Sequence, residues 1–161
     1  MPDWEWLSEF PGTYRVARLQ NVTICRWEGD ASPAAMHELG VITERALRTL
    51  EGGKLSNIHL IPGSVRLPDS ESRAALQEVT NVYGAQYACV GVVLHGGGFW
   101  ASAVRSVLTG VQVLAPRSFE LRIHSEVHDL LEWFPRENLS RTGVKIEPAD
   151  LQRALEEIKA G

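Results

Sequence analysis

The sequence predicts an α/β domain with a mainly parallel sheet that opens on an antiparallel hairpin. Three observations carry this. Two short β-rich runs are separated only by Gln20-Asn21. Apolar runs too short for helices alternate with stretches of helical periodicity, and the resulting order is β-β-α-β-α-β-α-β-α plus a C-terminal helix.

In chain order, Pro11-Gly12 marks a turn, and residues 14–19 and 22–27 alternate or are β-rich. Strands joined by so few residues must be antiparallel neighbours. Ser32-Pro33 then reads as a helix start: Ser32 caps, and Pro33 occupies the first helical position, where its missing N–H costs nothing. Met36, Leu39, Ile42, Ala46 and Leu50 recur on one face, and Gly52-Gly53 is expected to end the helix. The run 58–61, closed by Pro62-Gly63, is a strand by length, and a loop over 64–68 leads into Asp69-Ser70-Glu71-Ser72 at the start of a second helix that ends at Gly84. Residues 87–94 are almost wholly apolar and rich in Val, which predicts a central strand buried on both faces.

After His95-Gly96-Gly97-Gly98, Trp100, Val104, Val107, Leu108, Val111 and Leu114 follow helical spacing. Gly110 weakens that helix by roughly 1 kcal/mol relative to Ala. Residues 119–123 alternate as a strand. Residues 125–134 start with Ser125 and acidic residues and are expected to form a helix stopped before Pro135, with 136–143 as a polar connector. A last helix at about 148–159 carries a stripe of Leu151, Ala154, Leu155 and Ile158, expected to dock on the domain. One domain spans 1–161, with its core at about 14–135 and an aromatic segment, 1–13, expected to strap over it.

Composition narrows the function classes. The 161 residues are 44% apolar and 22% charged, as in an average globular domain. A net charge of −4 offers no basic footprint for nucleic acid. No run approaches the ~18 apolar residues of a membrane span, and the first residues lack a basic region followed by an apolar stretch, so a cytoplasmic protein is expected. Cys25 and Cys89 lie in apolar runs without CxxC spacing and read as buried hydrophobes.

Few residues carry recognisable chemistry. His95-Gly96-Gly97-Gly98 is similar to an esterase oxyanion loop, but no Gly-x-Ser-x-Gly nucleophile elbow exists in the chain. With Ala101, the same glycines match Gly-x-Gly-x-x-Ala between a strand and a helix N-terminus, where bare N–H groups attract phosphate. The plainer reading is a tight strand-to-helix turn. His37, His59, His95, His124 and His128 show no metal-ligand spacing with a Cys or paired acid, so neither a metal nor a cofactor is expected, and no set of nucleophile, base and orienting acid emerges. Asp69, Ser70, Glu71 and Ser72 sit where hydroxyls either cap a helix or accept a phosphoryl group of roughly −1.5 to −2 charge.

This element order, the serine-bearing start of the second helix and the segment Glu126-Val127-His128-Asp129-Leu130-Leu131-Glu132-Trp133-Phe134 resemble the STAS domain, the sulfate-transporter and anti-sigma-factor-antagonist fold, over about residues 14–135. The resemblance implies a non-enzymatic protein-interaction module in bacterial signalling, phosphorylated by a partner kinase at the serine after Asp; here that is Ser70, with Ser72 beside it. The family motif Asp-Ser-[Ser/Thr]-Gly is departed from, because Glu71-Ser72 follow and no glycine does. The expected partner surface is Ser64, Arg66, Asp69 and Glu71, facing a kinase, a regulatory protein or a second copy of the chain. The alternative, from a different class, is a small-ligand carrier of nucleotide, phosphate or lipid that uses His95, Gly96, Gly97 and Gly98 with the Trp100 helix.

Overall fold

The computed structural model describes residues 4–51, 53–114 and 119–161. Its strands are β1 (Trp4–Phe10), β2 (Tyr14–Leu19), β3 (Val22–Trp27), β4 (Leu55–Pro62), β5 (Tyr87–His95) and β6 (Glu120–His124). Its helices are α1 (Pro33–Arg48), α2 (Ser70–Tyr83), α3 (Gly98–Leu114), α4 (Val127–Thr142) and α5 (Pro148–Ala160), with a short 3₁₀ turn over Gly84–Gln86. The six strands lie side by side in chain order. Pairings β1–β2 and β2–β3 are antiparallel, and the remaining three are parallel.

Each crossover from β3 onward carries one helix, which the sheet's twist places on a single face. Accordingly α1, α2 and α3 cover one face, where Tyr14, Cys25, Trp27, Met36, Ile42, Val90, Val92 and Val104 are buried. The other face is covered by α4 and α5, whose Leu130, Phe134, Leu151, Leu155 and Ile158 pack on Val22, Ile24, Ile58, Leu60 and Val93. α4 approaches β5 so closely that a Cβ on Gly91 would stand 2.4 Å from Leu130 Cδ1. The parallel sheet, the opening hairpin and the docked C-terminal stripe are as the sequence predicts.

Two expectations are corrected. The aromatic segment is an edge strand rather than a strap: β1 pairs along β2 from Trp4↔Leu19 to Phe10↔Tyr14, so the hairpin is a three-stranded meander, held further by the Arg18–Glu5 ion pair at 2.8 Å. Residues 1–3 of that segment, and Gly52 of the expected helix stop, lie outside the described residues. Second, α4 runs through Pro135 to Thr142, and the expected connector is mostly its last two turns. An interior proline costs about 3 kcal/mol, and tertiary bonds beyond it offset that loss. Fully buried Asn138 accepts from Asn21 Nδ2 (3.0 Å) and Ser56 Oγ (2.7 Å), and donates to Val144 O (3.0 Å) and Asn21 Oδ1 (3.2 Å). The helix stops instead at Gly143, whose φ of +74° suits glycine.

Candidate functional site

The serine-bearing helix start forms as a capped N-terminus. Asp69 Oδ1 accepts from the Ser72 N–H at 2.8 Å, and that backbone bond is the main cause holding the Asp69 carboxyl below its ordinary range. Ser64, Arg66, Asp69, Ser70 and Glu71 are all exposed along the loop and first turn, which brings the expected partner surface together. Ser72 does not belong to it. Only 1% exposed, its hydroxyl donates to Ala31 O at 3.2 Å and ties α2 to the segment before α1, so Ser72 as a phosphoacceptor is corrected: the hydroxyl is spent and inaccessible. Arg66 pairs with Asp30, whose Oδ1 also accepts the Arg66 N–H at 2.8 Å.

The glycine turn has mainly structural causes. Gly98 begins α3 at φ +62°, and a Cβ on Gly96 would meet the Trp100 ring at 2.8 Å. Trp100 in turn donates from Nε1 to Val65 O at 2.6 Å, latching α3 to the loop before α2. Gly97 has open space around it. Burial is the main cause holding the His95 imidazole below its ordinary value.

A different place in the molecule has the shape of a binding site. Between the sheet and α1, α2 and α3 lies a cavity of about 160 Å³, which includes none of His95, Gly96, Gly97 or Gly98 in its walls. Its walls are mostly apolar: Val16, Met36, Leu76, Val92, Val104 and Leu108 are among them. The inner faces of α2 and α3 close over it incompletely, since Leu76, Val79, Val107, Leu108 and Val111 stay half-buried and α3 fully buries only Val104. α3 of the expected ligand site is therefore used, but through its inward face rather than its N-terminus.

The floor carries the polar groups. Parallel register sets Thr23 beside Asn57 and Cys25 beside His59, and the next strand offers Val90 and Val92 at the same levels. Thr23 Oγ1 donates to Asn57 Oδ1 at 2.5 Å, and Trp27 Nε1 donates to His59 Nδ1 at 3.3 Å. Burial pushes the His59 pKa down to about 4, so the ring is neutral at pH 7. The same cause raises the Tyr87 phenol to about 12 and the Cys89 thiol to about 11, and both cysteines are free and buried. Asn57 belongs to no motif, and His59 stands in the sequence only as one of five histidines without metal-ligand spacing. The signal was period two: Asn57, His59 and Ile61 share one face of β4, and Ser56, Ile58 and Leu60 the other.

Among the described residues no group of three or more His, Cys, Asp and Glu could hold a metal ion, and no helix is long and apolar enough to cross a membrane. His124 and His128 fall at the end of β6 and in α4, and His128 pairs with Glu132 instead.

No protein-family model matches the chain, and no curated protein does. Among solved structures it is similar to an uncharacterized protein of the DUF3478 family with a SpoIIAA-like fold from Shewanella loihica PV-4. The TM-score is 0.55 and the identity 15%, over 78% of this chain and 96% of that one. With its sheet order and helix placement, the chain thus has the SpoIIAA-like, STAS-type α/β fold.

Proposed function

We propose that the chain is a non-enzymatic binding domain that takes up a small, mainly apolar molecule in the cavity between its sheet and α1, α2 and α3. The observation that carries this is a void of about 160 Å³ with apolar walls. Apolar cavities of about 150 Å³ hold benzene-sized molecules. Thermal shift tests the reading with toluene, inorganic phosphate and ATP as probes. Saturating toluene should raise Tm while phosphate and ATP leave it unmoved, because a ligand at 100 Kd stabilises by about 2.7 kcal/mol. No shift with toluene, or an equal shift with phosphate, would overturn it.

A second reading has its own observation. Ser70 is the first residue of α2 and exposed beside the Asp69 cap, in a fold shared with a SpoIIAA-like protein. This supports a cytoplasmic bacterial signalling module that meets a protein partner, a kinase or regulatory protein, or a second copy of itself, across Ser64, Arg66, Asp69 and Glu71, with phosphorylation of Ser70 as the switch. Recovery of the same partners from lysate by Ser70→Asp and Ser70→Ala would rule the switch out.

A further inference from the structure

We infer that the occupant of the cavity is an uncharged carbonyl compound of about six to nine non-hydrogen atoms, its oxygen accepting from the Asn57 side-chain amide. This rests on the cavity reading above and narrows it to a ligand class.

The hydrogen-bond inventory of the walls decides the chemistry. Thr43, Thr80 and Ser72 spend their hydroxyls on the carbonyls of Leu39, Leu76 and Ala31. Asn57 is different: it is 6% exposed and its Oδ1 is taken by Thr23, yet its Nδ2 meets no partner among the described residues. His59 completes the pair. Trp27 Nε1–H can only donate, so His59 Nδ1 must be the bare nitrogen and the proton of the neutral ring sits on Nε2. That second nitrogen also finds no partner among the described residues.

Two N–H donors thus stand two residues apart on the same face of the central strand β4, roughly 6.6 Å along it at about 3.3 Å per residue. Neither brings a spare acceptor. Each is satisfied by an acceptor oxygen; at hydrogen-bond lengths of about 3 Å one carbonyl oxygen serves one donor, the buried Asn57 amide, while half-buried His59 is left to water.

Charge excludes the commonest such group. Among the described residues the one cationic side chain in the walls, Arg66, is 86% exposed and already paired with Asp30. A carboxylate entering the cavity would lose its water without gaining a counter-ion, whereas a ketone, aldehyde or ester carries no such penalty. Size follows from volume, since about 160 Å³ compares with the roughly 150 Å³ that accommodates benzene.

The probes are 2-heptanone, toluene and heptanoate, titrated calorimetrically at pH 7 into the full chain and into the Thr23→Val/Asn57→Leu variant, which removes the donor and its partner together. The ketone should bind the unmodified chain about tenfold more tightly than toluene, as one hydrogen bond made in a buried site allows. Heptanoate should bind at least tenfold more weakly than the ketone. In the variant the preference for ketone over toluene should vanish while toluene still binds. Equal affinity for ketone and toluene in the unmodified chain overturns the inference and leaves the cavity reading standing, as does heptanoate matching the ketone; no binding by any probe overturns both. Should the variant fail to fold, ¹⁵N spectra of the unmodified chain decide. The Asn57 side-chain amide must shift with 2-heptanone and stay in place with toluene, and ketone binding without that shift refutes the assignment.

Discussion

Filling the cavity with carbon should stabilise the empty protein and displace its ligand. Val92 from the sheet and Val104 from α3 are 1% and 7% exposed and face the void from opposite walls. Replacing each by Ile adds one methylene and keeps the β-branch that suits its backbone. A buried methylene contributes about 0.8 kcal/mol, so Val92→Ile/Val104→Ile should gain roughly 1.6 kcal/mol. For a chain of this size each kcal/mol moves Tm by about 2–4 °C, giving a rise of roughly 3–6 °C by calorimetry. Toluene should lose most of its own stabilising effect in the same variant. A fall in Tm worth 1 kcal/mol or more would show overpacking of a site that was already full, and would refute the reasoning from volume to function.

Further outcomes follow from single contacts. Asn138→Ala strands buried partners on Asn21, Ser56 and Val144 and should cost about 3 kcal/mol, read as a Tm lower by roughly 6–12 °C. Ser72→Asp should destabilise by at least about 2 kcal/mol, because it buries a charge where a hydroxyl met Ala31 O, whereas Ser70→Asp at the exposed first turn should be neutral or gain a few tenths of a kcal/mol from the helix dipole. His59 has a folded pKa of about 4 against an ordinary 6.5, so below pH 6.5 the unfolded chain binds the proton that the folded chain refuses. The resulting stability, roughly 3 kcal/mol, is fully present above pH 6.5 and lost as pH falls toward 4. Urea melts of the unmodified chain and of His59→Gln across that window should therefore converge in slope only above pH 6.5; parallel profiles throughout would contradict a neutral His59.

Much of the fold is legible because local and tertiary signals agree. Ser32-Pro33 caps and starts α1 as its chemistry demands, with Ala35 N donating to Ser32 Oγ at 3.1 Å. The apolar run of β5 is buried along nearly its whole length, and the α5 stripe docks. The misses have physical causes. β1 alternates Trp4, Glu5 and Trp6, but as an edge strand it is only half-buried, so the aromatic segment before the Pro11-Gly12 turn reads as a strap. Pro135 reads as a stop on local grounds and is overruled by Asn138, whose partners lie as far as 117 positions away in sequence. The site was harder still. Asp69 and Ser70 announce themselves by a motif, whereas the donors of the cavity floor are visible only as polar interruptions in β4 and acquire meaning from a register that three-dimensional pairing sets.

Occupancy of the cavity is the claim on which the rest depends, and a methyl-resolved NMR titration with toluene addresses it directly. The methyls of Val92, Val104 and Leu108 should shift saturably and together, with the exposed methyls of Val113 and Leu114 unchanged, and Val92→Ile/Val104→Ile should abolish the response. Interior methyls that stay fixed at every toluene concentration, or shifts confined to the outer face of α3, would contradict a ligand cavity in this fold.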